Sequence, residues 1–295
     1  EVQYGKNIDF QLKSIRFIFL RKNFGCQFFT DKGLSIHLEF PEDFFSKLVN
    51  EFDSVYFSSI NSNSNIFIQK TSNQKFFQML PYQTKWSNGE MSNYEYLLML
   101  NHCVGRSFFD LQSYPFFPFI LLSSSNEFDF RDFSSDFTDT KPFPRETVLS
   151  YLCAIEPFKS EDNDIIDQNN FTSFEDILQF VQKNNTEIVP EFYSMPEVLE
   201  KPNFILPNWS TSPIEFIYRH RSALESRFIS SSLHVWITRM FGPKSEFKLF
   251  EGNHPRKEFN IEKAPLLKPV HNKKSIRVFL CSKINSDSYT SFLVL

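Results

Sequence analysis

The sequence predicts an α+β protein in which a short β-rich segment precedes a longer, mainly helical and partly irregular one. Three observations point there. Within residues 1–40 apolar and polar residues alternate, the period-two mark of strands. From residue 82 onward apolar residues recur at i, i+3 and i+4, the mark of amphipathic helices. Between those helices lie Pro- and Phe-rich stretches with neither period, such as YPFFPF at 114–119.

Each element follows in order. Ile15, Phe17 and Phe19 alternate with Ser14, Arg16 and Ile18, and Leu34, Ile36, Leu38 and Phe40 alternate with Ser35, His37 and Glu39. Asp31-Lys32-Gly33 supplies a turn between them. PEDFFSKLVNEF (41–52) reads as a helix: Pro41 suits the first turn, Glu42 and Asp43 favour the positive end, and Phe44, Phe45, Leu48 and Phe52 share a face. Residues 58–65 (SSINSNSN) have no apolar period and read as linker. Ser92 and Glu95 then form a capping box, worth about 1 kcal/mol. Met91 and Tyr96 stand at the positions of a hydrophobic staple, and Gly105 ends the helix.

The same grammar recurs downstream. ETVLSYLCAI (146–155) is helical and stops before Pro157. Thr172 and Glu175 make a second box ahead of Phe174, Ile177, Leu178 and Val181. Ser212 and Glu215 make a third, with Pro213 at the first helical position. Leu233, Trp236, Ile237 and Met240 form a further stripe, ended by Gly242-Pro243. IRVFLC (276–281) and SFLVL (291–295) return to strand character.

Composition bounds the function. At 295 residues, 41% hydrophobic and 22% charged, the chain can bury a substantial core. A net charge of −4 argues against a dedicated nucleic-acid binder. The four cysteines (Cys26, Cys103, Cys153, Cys281) are scattered, without Cys-x-x-Cys, so neither a disulfide framework nor a zinc site is expected. The sequons at Asn170, Asn184 and Asn208 read as unused, and no apolar run reaches the ~18–20 residues of a membrane span. Beginning at Glu1 without Met, the chain is expected to be a fragment of a longer protein.

Candidate chemistry is sparse. His102 and Cys103 adjoin, yet i and i+1 on a helix point about 100° apart, so they do not form a dyad. Cys103 reads as a small buried hydrophobe. No Gly-x-Ser-x-Gly elbow, His-Glu-x-x-His pair or phosphate-cradling loop occurs, and the six His (37, 102, 220, 234, 254, 271) lack metal spacing. Asp129, Asp132, Asp136 and Asp139 read as a solvated or Arg-paired turn, with Arg131 the obvious partner. Asp110, after Gly-Arg-Ser, reads as the anchor of the turn into the Pro-aromatic segment. Lys13, Arg16, Arg21 and Lys22 flank one strand; Arg16 and Arg21 are expected to lie against the following domain or in solvent, and the alternative is that Arg16, Arg21 and Lys22 meet a lipid head group.

The stretch from Trp86 to residue 121 resembles the signature of the BEACH (beige and Chediak–Higashi) family. The matching residues are Trp86, Met91 to Leu97 (including Ser92, Asn93, Glu95 and Tyr96), Leu100-Asn101, Gly105-Arg106-Ser107, Asp110-Leu111, and Tyr114 to Pro118 with its Pro115. FRDF (130–133, with Arg131), IVPEFYSMPEVL (188–199, with Pro190 and Glu191) and the 206–244 block (with Trp209, His220, Arg221, Glu225, His234 and Trp236) follow in order, and LFEGNHPRK resembles its ending. Phe108 and Phe119 depart from a usual Tyr and Trp, and only eleven residues separate Gly242 from His254, so the domain is expected to be shortened. The resemblance implies a partial pleckstrin-homology-like domain at 1–57, a linker at 58–81, a BEACH domain at 82–257, and at 258–295 a linker with first strands of a WD-repeat propeller.

The resemblance further implies a non-enzymatic scaffold in vesicle traffic, membrane fusion or fission, or autophagy, with no cofactor, metal or small-molecule substrate. Its partners would be other trafficking proteins, met at the joint between the two domains. Its place would be the cytoplasm, peripherally on membranes or endolysosomal vesicles. The signature residues are expected to form a structural motif or the partner groove. Direct lipid binding through Arg16, Arg21 and Lys22 is the alternative.

Overall fold

A computed structural model describes residues 14–22, 24–31, 35–61, 66–69, 73–126, 129–134, 145–155, 158, 171–241, 276–281 and 292–294. The fold class is α+β, and the chain divides into two units, residues 1–71 with 272–295, and residues 72–271.

The first unit is a sheet carrying one helix. Strands β1 (Ile15–Arg21), β2 (Gly25–Thr30) and β3 (Ser35–Glu39) form an antiparallel meander. Strand β4 (Phe67–Ile68) adds parallel to β1. Helix α1 (Glu42–Asn61) follows β3, with Glu42 and Asp43 in its first turn as the positive helix end favours. Its Phe44, Phe45, Leu48 and Phe52 pack with Ile15, Ile18, Cys26, Phe28, Ile36 and Leu38 in one core.

The alternation in β3 is as the sequence predicts: Ile36 and Leu38 lie in the core. In β1 it is not. The ladder slips between Ile15 and Phe17, a bulge at Arg16 that changes which side chains share a face. Ile15 and Ile18 therefore join the α1 core, whereas Phe17 and Phe19 stack on each other, with Phe17 also on Phe67 and Phe19 edge-on to Phe29.

Two boundaries differ from the sequence reading. Helix α1 runs through 58–61, because an established helix extends at little cost through polar residues once nucleated. Helix α2 (Asn73–Met79) occupies part of the expected linker, burying Phe76 and Phe77. Strands β5 (Ile276–Cys281) and β6 (Phe292–Val294), expected to open a separate module, extend this sheet in the order β4-β1-β2-β3-β5-β6. Strand β5 lies parallel to β3, pairing Leu38 with Ile276 and Glu39 with Arg277. Lys13, Gly33, Asp136, Asp139, Gly242, His254 and His271 lie outside the described residues.

The second unit is helical: α2, α3 (Tyr82–Ser87), α4 (Asn93–Cys103), α5 (Arg145–Leu152), α6 (Phe174–Asn184), α7 (Pro213–Glu225) and α8 (Arg227–Phe241), with 3-10 turns at Pro190–Tyr193 and Pro196–Leu199. Ser92 and Glu95 form the predicted reciprocal box on α4. On α6 the box sits one residue later, Ser173 with Asp176, and the Asp176 carboxylate also accepts from the Thr172 N–H and hydroxyl. On α7, Ser212 caps Glu215 N–H, but the Glu215 side chain turns to Thr211. The Thr211 hydroxyl and N–H, with Arg219, pull that carboxyl down to about 2.

Helix α4 ends in a Schellman motif: Gly105 N–H donates to His102 O and Arg106 N–H to Asn101 O. Gly105 has φ +89° and open space where a Cβ would stand. Gly105→Ala is therefore expected to cost about 1–2 kcal/mol from backbone conformation alone, read by urea denaturation. A neutral outcome would show that the motif relaxes.

Candidate functional site

The Pro-aromatic segment 114–121 is buried throughout and, apart from isolated bridges of Phe117 with Ile188 and Leu121 with Phe130, pairs with no strand. Buried backbone groups without partners are costly, so each needs another source of hydrogen bonds. Pro115 and Pro118 remove two donors outright. Side chains of the signature supply much of the rest. Asn101 on α4 binds Phe116 at both groups, its Nδ2 donating to the carbonyl at 3.0 Å and its Oδ1 accepting from the N–H at 3.2 Å. Arg106 donates to Tyr114 O at 3.1 Å and lies over the Phe116 ring. Tyr193 donates its hydroxyl to Pro118 O at 2.6 Å.

The Phe119 peptide is held by an ion pair. Its N–H donates to Glu187 Oε2 at 2.7 Å, and Arg131 reaches its carbonyl at 3.3 Å while bridging Glu187 at 3.0 Å. Trp236 on α8 donates its Nε1–H to Glu187 Oε1 at 2.9 Å. Burial pushes the Glu187 carboxyl up, with Arg131 and the Phe119 and Trp236 donors pulling the other way. Arg131 thus pairs with Glu187, a partner the sequence reading did not name, as a fully buried carboxylate needs a cation beside it.

A second cluster surrounds the start of α4. Trp86 on α3 donates to Asn93 Oδ1 at 2.7 Å, and Asn93 Nδ2 donates to Leu224 O and Ser230 Oγ. The Glu225 carboxylate, on α7, accepts from the N–H groups of Asn93 at 2.8 Å and Tyr94 at 3.1 Å. It is thus a helix cap contributed from 131 or more residues away. Arg221, one turn earlier, approaches Glu225 at 3.7 Å and lies 3.8 Å over the Tyr94 ring. Burial lowers the Arg221 pKa, against the pull of Tyr94 and Glu225. Tyr96 stacks on Trp86, with centroids 4.7 Å apart.

The third cluster centres on His220. Its ring is fully buried, hydrogen-bonded through Nδ1 to Phe192 O at 2.9 Å and stacked on Tyr193. Burial pushes its pKa down to about 4, while the Phe192 hydrogen bond acts in the opposite direction. An unfolded His takes up its proton near pH 6.5, so this stability is complete above that pH and is lost as pH falls towards 4, by about 3 kcal/mol. The stability gap between wild type and His220→Gln is accordingly expected to shrink by about that amount between pH 7 and 4. Equal gaps at both pH values would mean that His220 does not titrate on unfolding.

The remaining expected residues find structural places. Asp110 anchors its turn, accepting from Gln112 N–H and, through its carbonyl, from Ser113 N–H. Tyr114 donates its hydroxyl to Glu191 in the 3-10 turn that Pro190 opens. Trp209 reaches Ser123 O and stacks on Phe216. Half-buried His234 accepts a bond from Thr238 at its carbonyl. Phe108 and Phe119 are buried. His102 lies 3.4 Å from Arg106 O, and Cys103 is fully buried. In the first unit, Arg16 pairs with Asp31, and Arg21 donates to Gln27 and lies over Phe19. Lys22 is exposed.

Sequence reasoning missed Glu187, Tyr193 and Ser230. The usable signal for Glu187 is a lone carboxylate directly before the apolar Ile188-Val189-Pro190. Among the described residues no group of three or more His, Cys, Asp or Glu gathers where it could hold a metal ion, and no helix is long and apolar enough to cross a membrane.

The Beige/BEACH domain model matches residues 84–143 and 137–260. Protein SPIRRIG of Arabidopsis thaliana is 31% identical over 237 residues, 58% of this chain and 6% of that protein. BEACH domain-containing protein B of Arabidopsis thaliana is 32% identical over 224 residues (56% and 9%). BEACH domain-containing protein lvsE of Dictyostelium discoideum is 32% identical over 221 residues (54% and 10%). The matched region is thus a tenth or less of these relatives' own length. With more than half of its residues matched by the family model, and with that model's span holding the whole buried network of Trp86, Asn93, Arg131 and Trp236, the chain belongs to the Beige/BEACH domain family.

Proposed function

We propose that this chain is a non-enzymatic scaffold module of vesicle trafficking, part of a larger protein that works through protein–protein contacts. The contacts are proposed to be made in the cytoplasm or peripherally on membranes. Family membership supports the trafficking reading. The observation that carries the scaffold reading is where the signature's polar side chains direct their hydrogen bonds. Asn93, Asn101, Arg106, Arg131 and Glu225 turn inward, to backbone groups and to each other. A site for chemistry instead aims such groups into a cleft where a reacting atom can sit. The lipid-headgroup alternative is less favoured, because Arg16 and Arg21 direct guanidinium donors within their own sheet.

Affinity capture with the intact chain is the test, run beside a homologous BEACH module and read by quantitative mass spectrometry. Enrichment of membrane-trafficking proteins is expected. Their absence from this chain's capture, where the homologous module recovers them, would overturn the reading.

A further inference from the structure

No further inference is drawn: the strongest candidate, the exposed apolar face that Ile214 and Tyr218 present on α7, carries nothing because nothing in the structure shows what covers it.

Discussion

Glu225→Ala is expected to lower the unfolding free energy by about 3–5 kcal/mol, read as a shifted urea midpoint at unchanged slope. Two losses combine. The N–H groups of Asn93 and Tyr94 at the start of α4 lose their acceptor in a fully buried place. Arg221, itself buried, loses the carboxylate beside it and remains a cation in the core. Glu225→Gln separates the two, since it keeps an oxygen for the helix N–H groups while removing the charge. It is expected to fall between wild type and Ala. A loss below about 1 kcal/mol for Glu225→Ala would show that water or relaxation replaces the cap.

Glu187→Ala is expected to cost a similar 3–5 kcal/mol, because three donors lose this acceptor together. They are the Arg131 guanidinium, the Phe119 N–H and the Trp236 indole N–H. The discriminating measurement is a double-mutant cycle with Arg131→Met and Glu187→Leu. Replacing both charges removes the pair without stranding either, so the double variant is expected to be markedly less destabilised than the two single losses added. Simple additivity would mean that the ion pair is not the unit that holds the Phe119 peptide.

Much of the local structure was legible. The box on α4 follows from Ser92 and Glu95, and the Schellman end from Gly105, because both depend on residues within one turn of each other. The α1 face and the β3 alternation follow from periodicity alone. The departures have separate causes. The bulge at Arg16 slips a register that depends on the partner strand, and α1 outruns its polar tail through helix cooperativity. On α6 the cap falls one residue after the expected Thr172, on Ser173 with Asp176.

The buried cradle was legible only as a set of names. Asn101, Arg106 and Arg131 stood out through the family signature, but no local rule says that they serve backbone groups of residues 114–119. Arg131 has aspartates nearby in sequence, and a local reading pairs it with them. Glu187 is 56 residues away, and only the folded chain brings the two together.

What the sequence determined by itself, then, was the fold class, helices α1 and α4 to α8, the α4 cap and the family, since these rest on short-range chemistry and on motif order. What only the tertiary structure decided was which polar side chain answers which buried backbone group. Glu225 capping α4 and Glu187 holding Phe119 are settled by desolvation: once the Pro-aromatic segment and the start of α4 are taken out of water, whichever charged group the fold delivers there must complete their hydrogen bonds.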